Sequence, residues 1–188
     1  MSARTFLALD LNDSILDGLA AAQRALDGCG AKLRPVERDN LHVTLVFLGD
    51  VGDELLVDVC DIAAEVAAGT EPFEFAIRGL SAVPARGGVR MVWAGVADPS
   101  GRMKLLQAGL AEAMSGLGLK QEERSFSPHI TLVRVKSAGP GEPLRRGVQQ
   151  WAGKDFGSQL AKELTIYESR LTGDGPIYTP LARPPLGQ

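Results

Sequence analysis

The chain holds two histidines, His42 and His129, and both stand in the same frame: His42-Val43-Thr44-Leu45-Val46 and His129-Ile130-Thr131-Leu132-Val133. With seven threonines in 188 residues, a threonine two places after both histidines is a coincidence on the order of one in seven hundred. Residues two apart on an extended strand project from one face, so each frame offers an imidazole and a hydroxyl side by side. Histidine has its ordinary pKa near neutrality, so one imidazole can hold a proton as general acid while the other accepts one as general base at pH 7. Threonine hydroxyls can donate to the non-bridging oxygens of a phosphate and ease the charge of an in-line displacement. The chemistry that fits this set is proton transfer on two sides of one phosphorus.

Other chemistries find less support. A zinc site takes three or four His, Cys, Asp or Glu ligands, and neither HxH, HExxH nor a CxxC pair is present, so no metal and no cofactor is expected. Cys29 and Cys60 lie in stretches that read as helical, without an activating context, and are expected as reduced thiols. Gly28-Cys29-Gly30 lacks the strand-to-helix frame of a phosphate or dinucleotide loop. A net charge of −3 and a pI near 5.4 exclude the overall basic field that drives sequence-independent duplex binding, so a nucleic-acid substrate would be gripped locally. The share of hydrophobic residues, 45%, is that of a folded domain rather than a disordered segment. No apolar run has the length of a membrane span, and the opening residues turn to Asp10 too early for a signal peptide, so a cytoplasmic location is expected, with no membrane partner.

The elements that must position the two frames follow from periodicity. A strand over residues 6–9 leads through Asn12-Asp13-Ser14 into a helix with Leu16, Leu19, Ala22 and Leu26 on one face. A strand over 40–49 carries the first histidine, and a helix over 53–68 follows, with Leu56, Val59, Ala63 and Val66 aligned. After Pro72 a strand runs through Ile77, breaks around Pro84-Ala85-Arg86-Gly87-Gly88 and resumes over 89–96. Asp98-Pro99-Ser100 opens a third helix with Met103, Leu106, Leu110 and Leu117 on one side, and a strand over 126–133 carries the second histidine. A short helix over 144–151 and strands over 160–169 and 176–181 complete the reading, in which Arg145-Arg146 is a solvated helix face, with a basic rim for RNA as the alternative, and Trp93, Trp151 and Tyr167 are packing residues. His129 minus His42 is an offset of 87, and the same shift carries residues 6–9 onto 93–96 and residues 73–80 onto 160–167, which predicts an internal duplication of about residues 4–83 and 89–170 within one domain spanning 1–188.

Taken together, Arg4-Thr5-Phe6-Leu7-Ala8-Leu9, Asn40-Leu41-His42-Val43-Thr44-Leu45-Val46-Phe47-Leu48-Gly49-Asp50-Val51 and Phe126-Ser127-Pro128-His129-Ile130-Thr131-Leu132-Val133-Arg134 resemble the 2H phosphoesterases. Within that superfamily they are similar to the bacterial RNA 2′,3′-cyclic phosphodiesterases, or LigT-like 2′-5′ RNA ligases. Val92-Trp93-Ala94-Gly95-Val96, Tyr167-Glu168-Ser169-Arg170-Leu171 and Gly175-Pro176-Ile177-Tyr178 add to the likeness, which covers nearly the whole chain. The resemblance implies an α+β fold of two pseudo-symmetric lobes, each an antiparallel sheet backed by helices, with the active cleft between them. It implies metal-independent hydrolysis of an RNA or nucleoside 2′,3′-cyclic phosphate to a 2′-phosphate, and in the reverse sense an ATP-independent 2′-5′ joining. His42 would be the proton donor and His129 the proton acceptor, Thr44, Thr131 and Arg134 would hold the phosphate, and Phe47 would stack on the nucleobase. The expected partners are RNA ends or nucleotides carrying a 2′,3′-cyclic phosphate, met by a monomer. Rival readings are a non-catalytic module that binds the phosphate of an RNA end, and a related phosphodiesterase for another cyclic phosphate or a 2′-5′ linkage. Five residues beyond a histidine is the opposite face of a flat strand, so Phe47 and Arg134 need a bulge, a strong twist or a strand end to reach the cleft.

Overall fold

The computed structural model describes residues 2–29, 31–119, 125–137, 141–173 and 175–187. In chain order the elements are β1 (Ser2–Leu9), α1 (Asp13–Leu26), β2 (Lys32–Pro35), a 3₁₀ turn (Arg38–Asn40), β3 (Val43–Gly52), α2 (Asp53–Ala68), β4 (Phe73–Val83), β5 (Met91–Ala97), α3 (Arg102–Gly116), β6 (His129–Ser137), α4 (Gly141–Gln149), β7 (Asp155–Ala161), β8 (Thr165–Leu171) and β9 (Pro176–Ala182). The strands form two antiparallel sheets, one ordered β3-β1-β8-β9 and the other β2-β6-β5-β4-β7.

Each sheet is covered on one face by helices. Helix α1 starts where the Asn12 side chain accepts from the Ile15 amide at 3.0 Å, and it buries Ile15, Leu16, Leu19, Ala22 and Leu26 on one stripe. That stripe lies on the five-stranded sheet, beside α4, while α2 and α3 pack together against β3 in the other. The helix that follows β1 therefore covers the sheet that β1 does not belong to, and the helix that follows β5 likewise crosses over. Strand β4 also leaves the sheet of β1 and β3 to lie beside β5, as β8 lies beside β1. The two halves of the chain are interlaced, and neither sheet is built from one half alone.

Two expectations change on this view. The single strand expected over 160–169 is two strands, β7 and β8, in different sheets, with the chain crossing between them at residues 162–164. Apolar alternation runs on through Leu160, Leu164 and Ile166, and periodicity carries no sign that the hydrogen-bonding partner has changed. Strand β2 was not read from the sequence, because Lys32-Leu33-Arg34-Pro35 is only four residues long and ends in a proline, and it forms by adding an edge to β6. Arg145, expected as part of a solvated face, instead donates to the carbonyls of Pro84, Ala85 and Gly87 at 2.9, 3.0 and 2.6 Å and fastens the β4–β5 turn to α4. Among the described residues no helix is long and apolar enough to cross a membrane.

Candidate active site

His42 immediately precedes β3 and His129 opens β6, so each imidazole stands at the start of a strand on the sheet face not covered by helices. The local geometry is the same at both. His42 Nδ1 lies 2.8 Å from the carbonyl of Asn40, and His129 Nδ1 lies 2.8 Å from the carbonyl of Ser127. A carbonyl can only accept, so Nδ1 carries the hydrogen in each ring and Nε2 is the atom left to exchange a proton. An aromatic ring from the neighbouring strand backs each imidazole. Phe6 stacks on His42 at 4.8 Å between ring centroids and 27°, and Trp93 stacks on His129 at 3.7 Å and 20°. Asn40 and Ser127, like Phe6 and Trp93, are separated by 87 residues.

Beyond the first contacts the two histidines differ. His42 Nε2 lies 2.9 Å from Thr44 Oγ1, Tyr178 meets the ring edge-on at 5.5 Å, and Tyr167 stacks behind Phe6 at 5.2 Å. Burial in this stack pushes the His42 pKa below its ordinary value. The Asn40 carbonyl and the Asp10 carboxylate oppose that shift, and the charge of His129 adds to it. Asp10 is fixed behind the stack by the Tyr167 hydroxyl at 2.7 Å, Thr165 at 2.9 Å and Arg183 at 2.7 Å. Tyr178 also has a raised pKa, chiefly from burial, against the pull of Arg134 and Arg4, so it faces the cleft as a protonated donor.

The two frames share a cleft of about 550 Å³, lined from both sheets, and it brings together all six residues singled out in the sequence: His42, Thr44, Phe47, His129, Thr131 and Arg134. Phe47 and Arg134 reach it by a bulge. On β3 the pairing with β1 skips Leu45, so Leu45 and Val46 are both buried and Phe47 returns to the face of His42 and Thr44. On β6 the pairing with β5 skips Leu132 in the same way, Leu132 and Val133 are both buried, and Arg134 returns to the face of His129 and Thr131. The carbonyl of Leu132 accepts from the Val36 amide and from Gln23 Nε2, both at 2.8 Å, so a buried glutamine of α1 holds the bulge. Gly95, opposite His129 in the β5–β6 register, lies so close to the Arg78 carbonyl that an added Cβ would meet it at 2.6 Å. A second depression of about 560 Å³ between α1 and α4 holds none of the six residues. Among the described residues no group of three or more His, Cys, Asp or Glu side chains is placed to hold a metal ion.

The family model described as LigT like phosphoesterase matches the chain twice in succession, over residues 9–93 and 95–178. The chain belongs to the LigT-like phosphoesterase family. A relative from Methanothermobacter thermautotrophicus named RNA 2′,3′-cyclic phosphodiesterase is 35% identical over 179 residues, which is 95% of this chain and 96% of that protein. One of the same name from Archaeoglobus fulgidus is 33% identical over 178 residues, 95% and 97% of the two chains. Among solved structures, TT0787 of Thermus thermophilus superposes with a TM-score of 0.83 at 27% identity over 98% of both chains. E. coli LigT complexed with 3′-AMP superposes at 0.81 with 29% identity over the full length of both.

The LigT-like cleft also contains residues to which sequence reasoning gave no role. Arg4 lies two before Phe6 on β1, lines the cleft and sets its guanidinium 4.7 Å above the Phe47 ring. Tyr178 and Asn40 line it too, and Asn40 Nδ2 donates to the Pro176 carbonyl at 3.0 Å, tying the approach to β3 to the start of β9. The period of two in Arg4-Thr5-Phe6 was the available signal for Arg4. Trp93, expected as packing, does pack, and what it packs is the face of His129.

Proposed function

We propose that this chain opens the 2′,3′-cyclic phosphate of an RNA end or nucleotide to a 2′-phosphate, with His42 as proton donor and His129 as proton acceptor. The curated relatives that span it are RNA 2′,3′-cyclic phosphodiesterases, and that is its enzyme class. The observation that carries the mechanism is the pair of imidazoles in one cleft, each with Nδ1–H given to a backbone carbonyl and each therefore left with Nε2 for proton transfer. In the reaction His129 Nε2 takes a proton from water as its oxygen bonds to phosphorus, the P–O3′ bond breaks, and His42 Nε2 gives its proton to the departing 3′ oxygen. Thr44, Thr131 and Arg134 hold the non-bridging oxygens, whose charge grows in the transition state.

Burial lowers the His42 pKa in the free protein, and the arriving phosphate anion supplies the opposite charge that favours its protonated form. Substrate binding and arming of the acid are then one event. Phe47, capped on one face by Arg4, offers its other face to a base. A 5′ hydroxyl in the place of water would give a 2′-5′ linkage by the same bond changes, without ATP. We also read the chain as a single bilobal domain made by duplication of about residues 4–83 and 89–170. The paired bulges, the equal offsets and the matching strand orders β3-β1-β8-β9 and β6-β5-β4-β7 support that reading.

The test is turnover of 2′,3′-cyclic AMP in excess chelator by the protein and by His42→Ala and His129→Ala, with products resolved by ³¹P NMR. The expected product is 2′-AMP alone, formed by the unaltered protein and lost in both variants. A 3′-phosphate product, or turnover abolished by the chelator, would overturn the mechanism. Retained binding without turnover in the unaltered protein would favour an end-binding module.

A further inference from the structure

The open face of the five-stranded sheet continues past the cleft to the β2 edge. Arg34 and Arg134 are opposite each other in the β2–β6 register, and both line the cleft. About 7 Å further along the strands, Lys32 stands opposite a second irregularity of β6, where Lys136 is passed over in the pairing with β2. Opposed residues of an antiparallel pair share a face, as do alternate residues of one strand, so Lys32, Arg34, Arg134 and Lys136 project on the side of His129 and Thr131. Lys32, Arg134 and Lys136 are exposed, and neither β2 nor β6 contains an aspartate or glutamate, although Glu37, two residues beyond β2, also lines the cleft. Arg90 is also exposed at this edge, where its carbonyl accepts from the Val135 amide at 2.8 Å.

The opposite rim is different. On the four-stranded sheet Arg4, which lines the cleft, faces Asp50 across β1 and β3, so its charge is met by a carboxylate. In a chain of net charge −3 the β2–β6 edge is thus a local concentration of positive charge that opens from the cleft.

We infer that the β2–β6 edge is the track for the RNA strand on the 5′ side of the cyclic phosphate, with Lys32 and Lys136 meeting the backbone phosphates that follow those in the cleft. The inference rests on the reading above of what occupies the cleft. A nucleotide monophosphate fills the cleft only, whereas a strand that ends there must leave over one rim, and the rim without strand carboxylates attracts its phosphates. Contacts of this kind are indifferent to base sequence and sensitive to salt. The chain therefore favours an oligonucleotide end over a cyclic mononucleotide, and the preference resides in residues that take no part in the chemistry.

The experiment compares the full chain with Lys32→Gln/Lys136→Gln. One arm measures kcat/KM on 2′,3′-cyclic AMP and on an RNA of about ten nucleotides ending in a 2′,3′-cyclic phosphate, at about 50 and 200 mM KCl. The other measures anisotropy of the same RNA carrying a terminal 2′-phosphate, which reads binding without turnover. The double variant is expected to lose roughly tenfold on the RNA and nothing on the mononucleotide. Its log–log salt slope for RNA binding is expected to be shallower by about 1.4, or about 0.7 per phosphate contact removed. Unchanged RNA affinity and slope, with mononucleotide turnover intact, would overturn the track and leave the proposed activity standing. Lowered affinity and slope with no turnover of either substrate would uphold the track and sink the proposed activity.

Discussion

The two sides of the cleft are built on one plan and differ in what surrounds it. On both, a backbone carbonyl two residues before the histidine fixes the ring, an aromatic 36 residues upstream in sequence floors it, and a bulge three residues after it turns a fifth-place side chain into the cleft. On the His42 side the half-buried ring is stacked on Phe6, with Tyr167 behind it and Tyr178 at its edge, and its Nε2 is already engaged by Thr44. On the His129 side the ring rests on a single indole at 3.7 Å. Equal geometry with unequal surroundings gives two like imidazoles different environments, and burial in the stack lowers the His42 pKa.

The comparison can be broken most severely at the histidines. His42→Ala and His129→Ala should each lower kcat by about 10²–10⁴, and the double variant should fall little further, because the two act as a unit; single-turnover rates on 2′,3′-cyclic AMP measure this. Thr44→Val and Thr131→Val should each lower kcat/KM by roughly ten- to a hundredfold through the loss of a hydrogen bond to a charged oxygen. The two should part company in a ¹H–¹⁵N titration, since only Thr44→Val releases His42 Nε2 and moves the His42 midpoint.

Gln23→Leu keeps the shape of a buried side chain but removes a donor to the Leu132 carbonyl at the β6 bulge, and it should cost about 1–3 kcal/mol in a urea melt. If Arg134 relies on that bulge, KM for the substrate should rise while the Phe47 side of the cleft is unaffected. The depressed pKa of His42 carries a stability consequence of definite sign. The unfolded chain takes up the proton first as pH falls from 6.5, so the His42 contribution is complete above 6.5 and is lost as pH falls towards the lower native value. Denaturant melts across that window should flatten in His42→Gln. The smallest effect is expected at Trp93, where Trp93→Phe should preserve most of kcat and Trp93→Leu should lower it by up to about tenfold, the worth of an aromatic stack.

Much of the site was legible because its parts are local. Both histidines, both threonines and the offset of 87 stand in the open, and amphipathic periodicity located α1 and α2 nearly to their ends. Phe47 and Arg134 were legible as candidates and not as neighbours of the histidines, since a bulge depends on which residue the adjacent strand skips. Strand β2 and the division of β7 from β8 were hidden for a related reason, as both exist only through pairing with a distant partner.

What the amino-acid order determined alone was the chemistry on offer: two imidazoles, each with a hydroxyl two residues away, on strands that alternate strongly enough to have a defined face. What the tertiary structure decided was the set of environments. Interlacing of the halves carried the two strands to a common cleft. The aromatic stack set one imidazole among three rings and the other on a single indole, and the β2 edge laid positive charge along one rim. These follow from desolvation, register and charge proximity, which depend on residues far apart in the chain and are fixed only when the sheets close on one another.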